Sequence, residues 1–238
     1  MGKSSGTKNF NQTTMKNKFF RRAHISEAKF KLILKLFCDE RTAVEIAEIT
    51  GISRVTVNKY LGDIRTMIMS CDDEVLKQDA RVLFSDTFSN WEKNKDNRGQ
   101  GHVITMAGIE VNGKKLKVHP IEELPRNRML RLTQGKKYGK KEEALAQKFC
   151  GLVDLRDRQY YQLRTISQRK NGKEMAKNAD RLWSIFRNQI HKSKGLASNT
   201  IYLHLKESEL RCNYRKNEIY AMLLKVMRRR NVRVDRAA

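Results

Sequence analysis

Three short apolar runs between Ser26 and Arg65 recur at helical spacing, and each is opened by a hydroxyl residue placed to cap a helix. In the first, Phe30, Ile33, Leu34 and Phe37 share one helical face behind Ser26, which predicts one helix with a buried stripe. In the second, Thr42 precedes Ala43, Ile46, Ala47 and Ile49, a short apolar face. Thr50-Gly51-Ile52-Ser53 then interrupts the pattern, and Ser53 caps a third run carrying Val55, Val57, Leu61 and Ile64. Gly51 supplies a backbone conformation that L-residues resist, and Ile52 packs inward to set the angle between the helices. A short helix, a glycine turn and a following helix form the helix-turn-helix pattern. The third helix exposes Arg54, Thr56, Asn58, Lys59 and Arg65. In this motif the start of the second paired helix enters the major groove. Arg and Asn there can read guanine and adenine edges bidentately, so double-stranded DNA is the expected partner.

Charge points the same way. Lys and Arg total 50 against 26 Asp and Glu, a net charge of +24, and such an excess favours a polyanion. Residues 1–22 hold Lys3, Lys8, Lys16, Lys18, Arg21 and Arg22 and no acid. They read as a flexible basic arm that either follows DNA, in the backbone or the minor groove, or is a solvated tail. Lys225, Arg228, Arg229, Arg230, Arg233 and Arg236 make the closing segment, 225–238, a second basic stretch, for DNA contact or as a solvated helix end. No lipidation signal or amphipathic anchor favours a membrane surface. No apolar stretch approaches eighteen residues, and Met1-Gly2-Lys3-Ser4-Ser5-Gly6 has no apolar signal core. The expected setting is therefore the cytoplasm (nucleoid) of a bacterium or the nucleus of a eukaryote, not secretion. The cysteines at 38, 71, 150 and 212 lack paired spacing, so neither a zinc ribbon nor a disulfide framework is expected. Cys38 and Cys150 read as buried thiols.

Apolar residues form 39% of the chain, enough for a core, and the two prolines suit a helix-rich fold. Asp72-Asp73-Glu74 reads as a solvated junction, since three adjacent acids cannot all point at one ion. Val82-Leu83-Phe84 is a short apolar run, and 102–111 is strand-like. Asn112-Gly113, between Ile109 and Val111 on one side and Leu116 and Val118 on the other, predicts an antiparallel hairpin. From Glu142 the texture is helical, with Ala144, Leu145 and Phe149 on one face until Gly151 stops it. Residues 160–166 suggest a strand. Residues 178–192 and 201–230 read as helices, with a bend at Asn213-Tyr214. In the last one Leu203, Leu205, Leu210, Tyr214, Ile219, Leu223, Leu224 and Met227 mostly face a core. The class is α/β (α+β).

A helix-turn-helix, a strand bearing a carboxylate, a hairpin and then helices is an order that resembles a transposase with an RNase H-like catalytic domain. The stretch Leu203-His204-Leu205-Lys206-Glu207-Ser208-Glu209-Leu210-Arg211-Cys212-Asn213-Tyr214-Arg215, followed by Leu223-Leu224-Lys225, resembles the C-terminal signature of Merlin-type transposases and their bacterial insertion-sequence relatives. Gly151-Leu152-Val153-Asp154-Leu155 with Tyr160-Tyr161 resembles a second block. Arg98-Gly99-Gln100-Gly101 with Gly108-Ile109 and Asn112-Gly113-Lys114 resembles a third, and Trp183-Ser184 resembles the start of the helix that carries the last acid. The resemblance runs from about residue 26 to 230; with the charge at both ends it divides the chain into a basic arm at 1–22, a helix-turn-helix domain at 23–70, an RNase H-like domain at 75–224 and a basic segment at 225–238.

That family's chemistry uses three carboxylates around two divalent metals, Mg²⁺ or Mn²⁺, in an in-line phosphoryl transfer. In Val82-Leu83-Phe84-Ser85-Asp86-Thr87-Phe88 the first acid is Asp86 if one residue is deleted, whereas Phe84 takes its place without a gap. The two project from the same face of a strand. The second position falls on Ala144, whose methyl cannot bind a cation; Glu142 and Glu143 adjoin it, as substitutes or as charged surface. The third falls on Asp180, three before Trp183, where the family has the longer Glu. Asp86 and Asp180 are thus the expected metal ligands, with Glu143 as the remaining catalytic candidate. Two departures from the pattern imply a transposase-derived DNA-binding protein with impaired catalysis, acting as a dimer. An active transposase using Asp86, Glu143 or Glu142, and Asp180 is the first alternative. A structural subunit of a larger nucleoprotein assembly is the second.

Overall fold

The computed structural model describes Phe19 and residues 25–70, 104–121, 124–134, 139–163, 166, 170–193 and 196–234. The expected strand around Val82-Leu83-Phe84, the acids at 72–74 and the Arg98-Gly99-Gln100-Gly101 block lie outside these residues.

Helices α1 (Glu27–Cys38), α2 (Ala43–Thr50) and α3 (Arg54–Ser70) start where the hydroxyls predict. Ser26 Oγ accepts from the Lys29 N–H at 3.3 Å, and Ser53 Oγ from the Thr56 N–H at 3.2 Å. Thr42 and Glu45 form a reciprocal cap: Glu45 Oε2 accepts from the Thr42 N–H at 2.7 Å and Thr42 Oγ1 from the Glu45 N–H at 3.3 Å. The Thr42 N–H and hydroxyl, with Arg41, hold the Glu45 carboxyl down at about 2. Phe30, Ile33, Leu34, Ile46, Val57 and Ile64 meet in one core with no exposed surface. Burial of each such side chain contributes roughly 1.5–3 kcal/mol before entropy is set against it. Two expected core residues lie outside it: Ile49 is 54% exposed and Val55 80%. Thr50 and Tyr60, which the apolar pattern passed over, are buried instead. Within the expected basic arm, Phe19 is buried against Phe30, ring centroids 5.6 Å apart.

The strands β1 (Met106–Asn112), β2 (Lys115–Pro120), β3 (Gly151–Asp154) and β4 (Gln159–Gln162) form one antiparallel sheet in the order β2-β1-β3-β4. The hairpin is where it was expected, but its turn is displaced by one residue. Asn112 still pairs with Lys115, and Gly113, with φ of 61°, takes the first turn position. One sheet face turns Met106 and Leu152 towards α4 (Arg126–Gln134) and α5 (Lys140–Lys148), meeting Met129, Leu132, Ala146 and Phe149. The other turns Ala107, Ile109 and Val153 towards α6 (Gly172–Lys192) and α7 (Ser198–Asn213), meeting Leu182, Phe186, Ile201 and Leu205. Gly108 leaves room for the Phe149 ring; a Cβ there would stand 2.6 Å from it. Three corrections follow along the chain. Ala144 is on the exposed side of α5, which buries Ala146 instead. Gly151 opens β3, the helix having already ended at Lys148. The strand expected at 160–166 is the shorter β4.

The anticipated bend is a full break. Tyr214 adopts extended backbone (φ −136°, ψ 152°), and α8 (Lys216–Val234) starts anew. Helix α8 packs back on α1–α3, adding Ile219, Leu223 and Met227 to their core. The described part of the chain is a mixed helical and antiparallel-sheet fold, of the α+β class.

Candidate nucleic-acid interface

Gly51 ends α2 in the left-handed region at φ 66°, where a Cβ would strain the backbone. The chain turns there, and Ile52, half-buried against the three-helix core, fixes the start of α3. The first turns of α3 then present Arg54, Val55, Asn58 and Lys59 to solvent. Thr56 is half-buried between them; its hydroxyl lies 2.8 Å from that of Ser53, the residue that caps the helix. On one side, therefore, lies a surface of one guanidinium, one amide, one ammonium and a bare isopropyl group.

Arg65 does not join that surface. Three turns further along α3 it points into the protein, its Nε donating to Glu207 Oε2 at 2.7 Å. Glu207 lies on α7 and is the hub of a buried polar junction. Arg211 reaches Glu207 Oε1 through Nε and Nη2 at 2.9 and 2.7 Å. The same guanidinium donates to the carbonyls of Phe37 and Cys38, at 2.8 and 3.3 Å, at the C-terminal end of α1. Gln189 of α6 donates to Glu207 Oε1 at 3.0 Å and accepts from Ser208 Oγ at 2.8 Å. Burial alone would raise the Glu207 carboxyl; Arg65 and Arg211 outweigh it and hold it at about 2. His204, one turn away, is pushed down to about 4, first by burial and then by Arg65. It is therefore neutral at pH 7.

A second set of α7 side chains faces β2, the open edge of the sheet. Glu209 Oε2 accepts from the Val118 N–H at 2.7 Å, and Lys206 Nζ holds that carboxylate at 2.6 Å. The Asn213 amide pairs with both backbone groups of Leu116, at 2.8 Å to N and 2.7 Å to O. These side chains take the place of a further strand. Sequence reasoning saw this stretch as a signature and a core-facing helix, and missed its polar work. The available signal was the spacing of Lys206, Glu209 and Asn213, and of Glu207 and Arg211, at three and four residues on a helix.

Of the expected catalytic acids, Glu143 and Asp180 lie among the described residues, on different helices. Glu143 is exposed on α5, beside the exposed Ala144, whereas Glu142 is buried with Arg128 Nη1 at 3.4 Å. Asp180 is exposed on α6. Helices α5 and α6 cover opposite faces of the sheet, so Glu143 and Asp180 stand on elements that the sheet separates. Asp86, Arg21 and Arg22 lie outside the described residues. Among the described residues no three His, Cys, Asp or Glu are grouped to hold a metal ion, and no helix is long and apolar enough to cross a membrane. No protein-family model, curated protein or solved structure matches the chain.

Proposed function

We propose that this chain binds double-stranded DNA through a helix-turn-helix formed by α2 and α3, and that it descends from a DDE-type transposase whose strand-transfer chemistry is impaired. The observation that carries the reading is the surface on the first turns of α3. Arg54, Asn58 and Lys59 supply donors for guanine, adenine and phosphate edges. Val55, at 80% exposure, is an apolar group in solvent that matches the methyl of thymine in a major groove. The net charge of +24 favours a polyanion. On this reading the antiparallel sheet with helices on both faces is what remains of an RNase H-like domain. Separation of Glu143 from Asp180 across that sheet supports the loss of metal-dependent transfer.

Selection from a random duplex pool tests the reading. A recovered consensus should bind the wild type far more tightly than its scrambled form. Arg54→Ala and Asn58→Ala should each reduce that discrimination by roughly 1–3 kcal/mol. Loss of equal size on every sequence would remove the base-reading role. Cleavage of the selected duplex in Mg²⁺ or Mn²⁺ would instead restore the active transposase.

A further inference from the structure

Away from α3, where α4 and α5 cover the sheet, a cavity of about 390 Å³ is lined by Arg128, Arg131, Gly139, Lys140, Lys141 and Glu142. Four cations face it and one acid. That acid is already engaged: Glu142 is buried, with its carboxylate 3.4 Å from Arg128. Arg131, Lys140 and Lys141 are exposed and have no acidic partner within ion-pair distance among the described residues.

The fold does not need these charges. Met129 and Leu132 hold α4 to the sheet, and Ala146 holds α5. Lys140 and Lys141 share the first turn of α5 with Glu142 and Glu143; the carboxylates suit the positive end of the helix dipole there and the lysines do not. Gly139, the residue before that turn, contributes no side-chain cap. Two guanidiniums from α4 then converge on the same hole. With Glu142 taken up by Arg128, the cavity keeps an excess of positive charge from Arg131, Lys140 and Lys141, and departures from local charge balance of this kind collect at functional sites. The ligand must be an oxyanion of high charge, and guanidinium forks suit phosphate oxygens.

We infer that this cavity is a phosphate site that grips the DNA backbone at a point apart from α3. The inference rests on the DNA-binding reading and adds a second, sequence-independent contact to it. Base discrimination and backbone grip are then separate functions on separate elements.

The test uses the full chain and measures affinity for one selected duplex and its scrambled form across a salt series. The double variant Arg131→Ala/Lys141→Ala removes two phosphate contacts, so the slope of log affinity against log salt should flatten by about 1.8. The ratio between the two duplexes should stay unchanged. Lys173→Ala/Lys177→Ala, on the exposed side of α6, removes the same charge elsewhere and should leave the slope near that of the wild type. An equal flattening in both double variants would reduce the cavity to net charge and overturn the inference. So would an unchanged slope in the first variant, while duplex discrimination by α3 stood. If the wild type binds no duplex, yet inorganic diphosphate raises its melting temperature and not that of Arg131→Ala/Lys141→Ala, the site serves a free oxyanion. Both the backbone grip and the DNA-binding reading then fall.

Discussion

Glu207 ties α7 to α3 and α6 through one buried carboxylate. Its carboxylate is buried between two guanidiniums, Arg65 from α3 and Arg211 from its own helix. A buried ion pair is weak evidence for net stability, because desolvation opposes the attraction. Breaking one is costly all the same, since the partners stay buried without their counter-charge. Glu207→Gln keeps the shape and removes the charge, leaving two guanidiniums facing each other. It should destabilise the fold by about 3–5 kcal/mol, read from the midpoints of chemical denaturation. Arg65→Ala, which leaves Arg211 to neutralise Glu207, should cost less. If Glu207→Gln cost under about 1 kcal/mol, the junction would be a solvated contact and not a clamp.

Helix α7 shows what a single element must satisfy at once. Ile201 and Leu205 face the sheet, Glu207 and Arg211 face α1 and α3, and Lys206, Glu209 and Asn213 face the edge of β2. Asn213→Ala would leave the N–H and C=O of Leu116 unmet beneath the helix. It should cost about 1–3 kcal/mol and increase self-association through the uncovered edge, seen by light scattering after size exclusion. Asn213→Asp keeps the acceptor for the Leu116 N–H and should fall between the two. A fully soluble, equally stable Asn213→Ala protein would mean that the edge is protected by something else. The same helix marks where sequence reading stopped. Local signals were legible: the caps at Ser26, Thr42 and Ser53, the left-handed Gly51 and the hairpin at Gly113 depend on neighbours in the chain. Ile49 and Val55 were misplaced because an apolar residue at an approximate helical spacing does not reveal which side it takes. Ala144 was misplaced for the same reason. The Arg65–Glu207 contact joins residues 142 positions apart, and no period along the chain encodes such a partner. The exposure of Arg54, Asn58 and Lys59 was legible because it is set locally along α3, and the withdrawal of Arg65 was not, because its partner is distant in the chain.

At the scale of the whole molecule, α1–α3 and α8, far apart in the sequence, share one core. Helix α8 completes the core of α1–α3, and α7 pins that core to the sheet through Glu207. Acid should therefore weaken the fold as a whole, and two groups at the junction set the windows. The His204 imidazole is lowered to about 4 from an ordinary 6.5, by burial first and Arg65 second, with Glu207 opposing. The unfolded chain takes up that proton more readily than the folded one, so stability is full above pH 6.5 and erodes as pH falls towards 4. Glu207, held at about 2 against an ordinary 4.5, acts next: its contribution is present above pH 4.5 and is lost between there and 2. Burial also lowers His119 on β2, which adds to the first window. Urea denaturation at pH 7.5, 5.5, 4 and 3 should thus show a loss in two stages. His204→Leu should flatten the stage between pH 6.5 and 4 and leave the later stage in place. A variant that loses stability over the first window as steeply as the wild type would place the titrating group elsewhere. Glu45, also held at about 2, titrates over the later window, so Glu207→Gln is the variant that assigns it: loss of most of that stage would place it on Glu207.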